Sequence, residues 1–305
     1  MTEINKNIIK YSDLPLALVT SLEYLFKKSI VKKTIIINGV NYDLIGFVRN
    51  KVFISFPLLD SCILSGDNQE FETTSAQKYN IKLSDFFLHT ENVLNTDKSF
   101  FVINTQKGYD HYLSTLRSKY RSQINNIKYP FQYFVNCNIQ KEDINLFYIL
   151  YIKRMRAIGA LPMPKRFFTG LVDSNNVFFS KVLDLNNNCR SVSISIMIKD
   201  VLHLFWAASD NKNSSNIFMY KELIKFCCND DRIQYLNIGR ATNNSSQYKF
   251  KRRIGGECFP VEQFSDTKKT NLKSRLPKFL IGIYRFVPLF LIEMLSQIIY
   301  KRFIR

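Results

Sequence analysis

Glycine, proline and paired cysteines are scarce in this sequence of 305 residues. With 10 glycines and 8 prolines, the chain is neither collagen-like nor proline-rich. Its six cysteines include no Cys-x-x-Cys pair and have no histidine at ligand spacing, so we expect no metal site and no disulfide framework. We interpret these cysteines as free thiols in a reducing cytoplasm.

The sequence also has little that indicates export or a membrane-spanning helix. Residues 1–19 lack the basic start, the long apolar run and the cleavage site of a secretory signal, so export is not expected. The apolar stretch near the C-terminus is interrupted by Arg285, Pro288 and Glu293. Because charged residues near the bilayer midplane are costly, these interruptions disfavour a spanning helix.

Acidic residues are outnumbered by basic residues. The 25 acidic and 43 basic side chains give a formal net charge of +18. Such a charge attracts polyanions, whether RNA, DNA or acidic lipid headgroups. A composition rich in Lys, Asn and Ile is also typical of AT-rich genomes, so the charge alone does not identify a partner.

Apolar residues are abundant enough for one large or two ordinary domains. They make up 46% of the chain and include 26 Phe and 16 Tyr. Residues 33–64 read as short strands broken by Asn-Gly and Arg-Asn turn signals. This pattern predicts a sheet-dominated first module that ends near residue 107.

Helices and strands alternate in the second half. Apolar residues at helical spacing predict one helix over 109–128 and another over 141–158, ending at Gly159. Three strands are predicted within 176–209, followed by a helix over 216–228 and a strand over 233–239. This order predicts an α/β fold with mixed, mostly antiparallel sheets flanked by helices.

Residues 235–255 carry a recognisable motif, YLNIGRATNNSSQYKFKRRIG. A strand ends in Gly-Arg, a polar loop follows, and an aromatic-x-Phe-Lys pattern leads to a glycine. This motif resembles the signature of FemAB-like acyltransferases, a branch of the GNAT superfamily. Other segments follow the family's order, so the resemblance covers most of residues 10–265. The matching positions are Gly239, Arg240, Tyr248, Phe250, Lys251 and Gly255.

The resemblance implies two tandem GNAT-like domains. We expect them at residues 1–107 and 108–265, the second being the acyltransferase domain. Residues 266–305 would then form a basic amphipathic tail that is associated with a membrane.

The motif lysine, Lys251, is the candidate catalytic residue. A compact cation beside a carbonyl stabilises the oxygen that gains negative charge when an amine or hydroxyl attacks. The neighbouring basic residues Lys249, Arg252 and Arg253 are expected to coat the surface.

The resemblance also implies substrate-binding residues. Gly239 would allow a sharp turn where the substrate approaches, and Arg240 would hold a phosphate or carboxylate, an exposed arginine being the alternative. The family often has Asp where this chain has Asn237, which puts in doubt any role for a carboxylate there. The remaining expected binding residues are Arg117, Arg121, Trp206, Tyr248 and Phe250.

Three of these assignments depend on local periodicity. Arg117 and Arg121 are four apart on the predicted helix, so they would share a face and hold an anion of a nucleotide, tRNA or phosphorylated acceptor. Trp206 either faces substrate or belongs to the core. His203 has a pKa suited to a general base, but a core or surface position is the alternative, and strand alternation predicts that it faces away from Trp206.

The acyl donor stays open between acyl-CoA and aminoacyl-tRNA, with no bound cofactor expected. Acetyl-CoA-dependent GNAT enzymes hold the pyrophosphate at a glycine-rich turn before a helix. Residues 209–216, which would form that turn, contain no glycine.

Residues 268–305 differ in composition from the rest of the chain, because they contain nine basic residues and one Glu around an apolar stretch. This pattern favours an interfacial amphipathic segment on anionic lipid, while packing against the protein body or a partner is the alternative.

The leading functional hypothesis is an enzyme that transfers an acyl or aminoacyl group to an amine or hydroxyl of a cell-envelope or polysaccharide precursor. It would act in the cytoplasm at the inner face of the cell membrane. One alternative is a non-catalytic, membrane-associated scaffold. A nucleic-acid-binding protein is less favoured because no DNA- or RNA-binding motif is recognised, and DNA is not an expected partner.

Overall fold

We describe the protein from a computed structural model. The residues described are 9–10, 14–26, 31–37, 40–49, 52–54, 63–65, 93–127, 129–137, 139–172, 174–210, 214–264 and 286–303. Within these ranges Cys137, Cys189, Cys227, Cys228 and Cys258 are free thiols. Cys62 lies outside the described residues.

The N-terminal part contains a helix and a small sheet. Its elements are β1 (Ile9–Lys10), α1 (Leu16–Phe26), β2 (Val31–Ile37), β3 (Val40–Arg49), β4 (Val52–Ile54) and β5 (Ile63–Ser65). The strand order is β1-β5-β3-β2, and β4 also pairs with β3. β2 and β3 pair antiparallel from Val31↔Gly46 to Ile37↔Val40, as expected for the predicted strands of this region.

A seven-stranded sheet organises the rest of the chain, in the order β12-β6-β11-β10-β9-β8-β7. Among the described strands of this sheet, only β10 and β11 pair in parallel, so the mixed and mostly antiparallel sheet predicted from the sequence is confirmed. The strands are β6 (Val93–Asn104), β7 (Gln132–Asn136), β8 (Val177–Leu183), β9 (Cys189–Ile198), β10 (Val201–Ser209), β11 (Tyr235–Thr242) and β12 (Glu257–Phe264).

In the described parts of the chain, seven further helices flank this sheet or follow it. They are α2 (Gly108–Thr115), α3 (Ser118–Asn125), α4 (Lys141–Ile158), α5 (Lys165–Thr169), α6 (Ser215–Cys228), α7 (Ser246–Arg253) and α8 (Leu289–Phe303). α4 ends as predicted at Gly159, whose φ of 69° is the left-handed conformation that favours glycine. α6 forms the crossover between the two parallel strands.

Alternation along β9 creates two faces, each covered by helices. Val192, Ile194 and Ile196 point into the first core cluster, which α1, α4, α5 and α8 cover. The opposite face supports the second core cluster, which α2, α3, α6 and α7 cover. Burial of apolar side chains on both faces is the main stabilisation of such a layered sheet.

The predicted continuous helix over 109–128 is wrong, because the chain forms two helices, α2 and α3, with a break at Leu116. Leu116 has extended backbone (ψ 144°) and a buried side chain. The Arg121 guanidinium donates to the carbonyls of Leu116 (3.0 Å) and Ser114 (3.3 Å). These bonds replace the intrahelical bonds that a continuous helix would make, which permits the break.

The predicted domain limits at residues 107 and 265 stay a prediction. β6 precedes residue 107, yet it lies between β11 and β12 in the larger sheet. Among the described residues, no helix combines the length and apolarity needed to cross a bilayer.

Candidate functional site

The site centres on the place where β10 and β11 stop pairing. Their parallel pairing runs over three residue pairs, from Val201↔Tyr235 to His203↔Asn237. Directly beyond it, each strand is irregular against its other neighbour: β10 shifts register between Leu204 and Trp206. β11 shifts between Asn237 and Arg240. Because bulges bend strands and redirect side chains, the two neighbouring irregularities change the direction of both strands at this point.

Gly239 forms the irregularity in β11. Its φ is +77°, a conformation that side chains with a Cβ rarely adopt. Its N–H donates to the Asn237 Oδ1 at 2.8 Å. A Cβ at this position would lie 3.5 Å from the Lys251 Nζ and 3.6 Å from the Leu204 carbonyl oxygen. The turn therefore brings the β11 backbone close to both β10 and Lys251.

Lys251 is the inward-facing member of a basic run. Its side chain is only 7% exposed, whereas Lys249, Arg252 and Arg253 are exposed, as expected for a coated surface. The Nζ donates to the Arg240 carbonyl at 2.9 Å and lies 6.0 Å from the centre of the Phe101 ring. A buried ammonium is costly unless it is hydrogen-bonded, so the fold holds this cation in place at the turn.

Helix α7 carries Lys251 on the side that faces the sheet. The helix begins where the Ser245 Oγ accepts a hydrogen bond from the Tyr248 N–H at 3.1 Å. It ends where the Gly256 N–H donates to the Lys251 carbonyl at 3.0 Å. A Cβ on Gly256 would approach that carbonyl to 2.8 Å and Phe101 to 3.1 Å. The sequence motif pointed to Gly255 and missed Gly256, whose need for close approach only the packing reveals.

His203 and Asn237 form a buried polar pair beside the last paired residues. The His203 Nδ1 lies 3.4 Å from the Asn237 Nδ2. Since the Asn237 Oδ1 accepts from Gly239, the Nδ2 must face the ring as a donor, which places the imidazole proton on the Nε2. Burial lowers the pKa of His203 to about 4, so the ring is neutral at pH 7. Its buried Nε2 has no hydrogen-bond partner among the described residues.

Trp206 packs in the first core cluster, with ring centres 5.4 Å from Phe167 and 5.2 Å from Phe168. Of the two interpretations of Trp206, facing substrate or belonging to the core, the structure has the core position. The prediction that His203 faces away from Trp206 is wrong. The bulge at Phe205 adds a residue, so that Phe205 and Trp206 both pack against this cluster, and Phe205 stacks on His203 at 5.7 Å.

Three of the residues expected from the motif come together, namely Gly239, Arg240 and Lys251. The Tyr248 ring contacts Phe101 edge-on at 5.2 Å, and its hydroxyl accepts from the Cys258 Sγ at 3.5 Å. Phe250 packs instead against Tyr220 of α6. Phe101 was missed because an apolar residue on a strand carries no chemical signal.

The two arginines of the predicted basic helix lie apart from the motif in the chain, at the α2–α3 break. Arg117 is exposed and is the N-cap residue directly before α3. The Arg121 guanidinium already donates hydrogen bonds to the two backbone carbonyls of the break. An anion held between these side chains stays a prediction. Among the described residues, no group of His, Cys, Asp or Glu could hold a metal ion.

Comparisons with known proteins find similarity at the level of structure. No protein-family model and no curated protein matches the chain. FemX superposes with a TM-score of 0.56 at 10% identity, covering 82% of this chain and 90% of FemX. A conserved protein of unknown function from Bacteroides thetaiotaomicron VPI-5482 gives 0.51 at 11% identity, over 82% and 89% of the two chains.

A third structure is the C-terminal domain (DUF2156) of a putative lysylphosphatidylglycerol synthetase from Agrobacterium fabrum. It gives a TM-score of 0.50 at 10% identity, over 82% of this chain and 87% of that domain. At such low identity the comparisons establish fold alone. The chain has the fold of FemX, which confirms the FemAB-like fold that the motif at residues 235–255 predicts.

Proposed function

We propose that this protein transfers an acyl or aminoacyl group from a carrier to an amine or hydroxyl of a cell-envelope or polysaccharide precursor. The carrier would be acyl-CoA or aminoacyl-tRNA. The burial of Lys251 supports the proposal most. A buried lysine is costly, so its position on α7 against the Arg240 carbonyl is explained if the charge has a catalytic role. The shared fold of FemX, and of a protein named for lysylphosphatidylglycerol synthesis, agrees with transfer to an envelope component.

In this proposal Lys251 stabilises the tetrahedral intermediate. The acceptor amine or hydroxyl attacks the carbonyl carbon of the donor, and the carbonyl oxygen becomes negatively charged. An ammonium group has three N–H donors, so it can hold the Arg240 carbonyl and the developing oxyanion together. The intermediate then expels the carrier, and the acceptor loses a proton to give the amide or ester.

The donor and the acceptor are inferred only as classes. The net charge of +18 suits a polyanionic donor such as aminoacyl-tRNA. Acyl-CoA stays equally open, because both carriers present phosphates to a basic protein. We propose that the reaction takes place at the inner face of the cell membrane, where the C-terminal segment would hold the protein.

The decisive experiment replaces Lys251 by methionine, which keeps most of the side-chain length and removes the charge. We expect transfer to fall by about 100-fold to 1000-fold, the usual effect of removing one oxyanion donor. Radiolabelled acetyl-CoA and a mixture of radiolabelled aminoacyl-tRNAs would be offered as donors, with an envelope extract as acceptor. Label in the extract measures transfer.

Lys249→Met is the matched control, because Lys249 lies on the same helix and is exposed. Thermal unfolding of both variants shows whether the fold survives. Equal transfer by the wild type and by a folded Lys251→Met variant would contradict the role of Lys251. No transfer by the wild type from either donor would instead favour the non-catalytic scaffold.

A further inference from the structure

The C-terminal helix α8 is attached to the protein body along one edge. Ile292 is fully buried in the first core cluster, and Ser296, one turn later, is also buried. Just before the helix, the Val287 carbonyl accepts a hydrogen bond from Arg156 of α4 at 3.4 Å. These contacts fix the direction of α8 against α4. Residues 286–303 of this segment therefore pack on the body, while contact of the segment with lipid stays a prediction.

The opposite edge of α8 is apolar and exposed. Phe290 is 65% exposed, Met294 is 54% exposed, and Phe286 before the helix is 87% exposed. Residues four apart lie on one side of a helix, so Phe290, Met294 and Ile298 form a continuous stripe. Leu291 and Leu295 widen it. Large exposed apolar patches of this kind mark interaction sites, because water covers them at a cost.

Positive charge borders this stripe. On α4, Ile149, Lys153 and Arg156 follow at helical spacing along one edge, and Arg156 contacts the start of α8. Ile149 and Lys153 are exposed. Glu293, the acidic residue within α8, is half-buried and follows Phe290 by three residues, so it borders the stripe. Two basic residues of α4 and one acidic residue of α8 therefore lie near the stripe, in a protein whose net charge is +18.

From these contacts we propose that the surface formed by the α8 stripe and the exposed edge of α4, here called the α4–α8 surface, binds anionic lipid bilayers. Phe286, Phe290 and Met294 would enter the boundary between headgroups and acyl chains, while Lys153 contacts lipid phosphates. A second copy of the chain fits less well, because a symmetric contact would bring the same positive border of both copies together. The proposal concerns binding and does not depend on the transfer reaction.

Vesicle flotation tests the proposal. The full-length protein is mixed with vesicles of phosphatidylcholine alone, or with vesicles in which half of the lipid is phosphatidylglycerol. We expect the protein to float with the anionic vesicles and to be released by high salt. Combined substitution of Phe290 and Met294 by serine should weaken binding more than tenfold, because it removes inserted apolar area. Lys153→Glu should reduce binding to anionic vesicles selectively.

Two matched controls accompany these variants. Leu185→Ser removes a similarly exposed apolar side chain from a turn of the larger sheet, and Lys141→Glu reverses a charge at the other end of α4. Both should bind vesicles like the wild type. Equal flotation of wild type and Phe290→Ser/Met294→Ser protein, or no flotation of the wild type, would overturn the proposal. A dimer that the double substitution dissociates would assign the surface to a second copy instead.

Discussion

Lys251 and Gly239 illustrate how single residues shape the site. In the run Tyr-Lys-Phe-Lys-Arg-Arg, one basic side chain is buried and its basic neighbours are exposed. The sequence pattern singled out that lysine, because the motif fixes its spacing from Gly239, which lies within β11 and not at its end as the motif predicted. It did not reveal that the ammonium would bond to the Arg240 carbonyl, since backbone acceptors carry no sequence signal.

Substitution of Gly239 by alanine should separate backbone strain from damage to the site. The positive φ makes any Cβ unfavourable, and we expect a loss of about 1–2 kcal/mol in unfolding free energy. Gly108 is the control, because it also has a positive φ and a Cβ there meets no atom within 4 Å. Urea unfolding should show similar losses for both variants, while only Gly239→Ala should lose the transfer activity that we propose. Equal activity of the two variants would argue against a site at Gly239.

His203 makes stability depend on pH. Its pKa is lowered from 6.5 in an ordinary histidine to about 4 by burial. The unfolded chain therefore takes up a proton below pH 6.5 while the folded protein does not, and stability present above pH 6.5 is lost as the pH falls toward 4. With about 1.4 kcal/mol per pKa unit, the loss amounts to roughly 3 kcal/mol.

His203→Gln should reduce this pH dependence, because glutamine keeps a polar side chain without a titrating ring. Urea unfolding at pH 7 and at pH 5 measures the difference. His111→Gln is the control, since His111 is exposed on α2. If both variants lose as much stability as the wild type between these pH values, the buried imidazole is not the group responsible.

Among the elements, the strands were predicted more reliably than the bulge in β10 and the break between α2 and α3. β8, β9 and β10 lie where alternating and β-branched residues predicted them. The bulge at Phe205 was missed, because the strand sequence around it contains no glycine or proline that would mark an irregularity. The break at Leu116 was missed because the apolar residues keep their helical spacing through it.

The α2–α3 break gives a test at this scale. Arg121→Met should destabilise the protein by about 1–3 kcal/mol, since two carbonyls of the break lose their charged donor. Lys119→Met, an exposed neighbour on α3, should change the unfolding free energy little. Thermal or urea unfolding measures both. A stable Arg121→Met variant with weakened donor binding would favour the anion-binding role expected from the sequence resemblance.

At the scale of the whole molecule, the fold was predictable because the motif at residues 235–255 resembles that of a family with a known fold. Periodicity alone gave an α/β protein, and the Gly-Arg and Phe-Lys spacing added the FemAB-like arrangement that FemX shares. The course of the chain through the sheet was harder to predict. β6 looked like the end of an N-terminal module, yet it pairs with strands more than 130 residues later. Long-range pairing of this kind leaves no local pattern.

The position of β6 has a consequence for how the protein is made. Both of its edges pair with segments from residues 235–264, so a nascent chain that stops before these residues exposes two strand edges and the apolar side chain of Phe101. The same late segments carry Gly239 and Lys251. Most of the polypeptide must therefore leave the ribosome before the lysine can reach its carbonyl partner, so the site can form only late in synthesis.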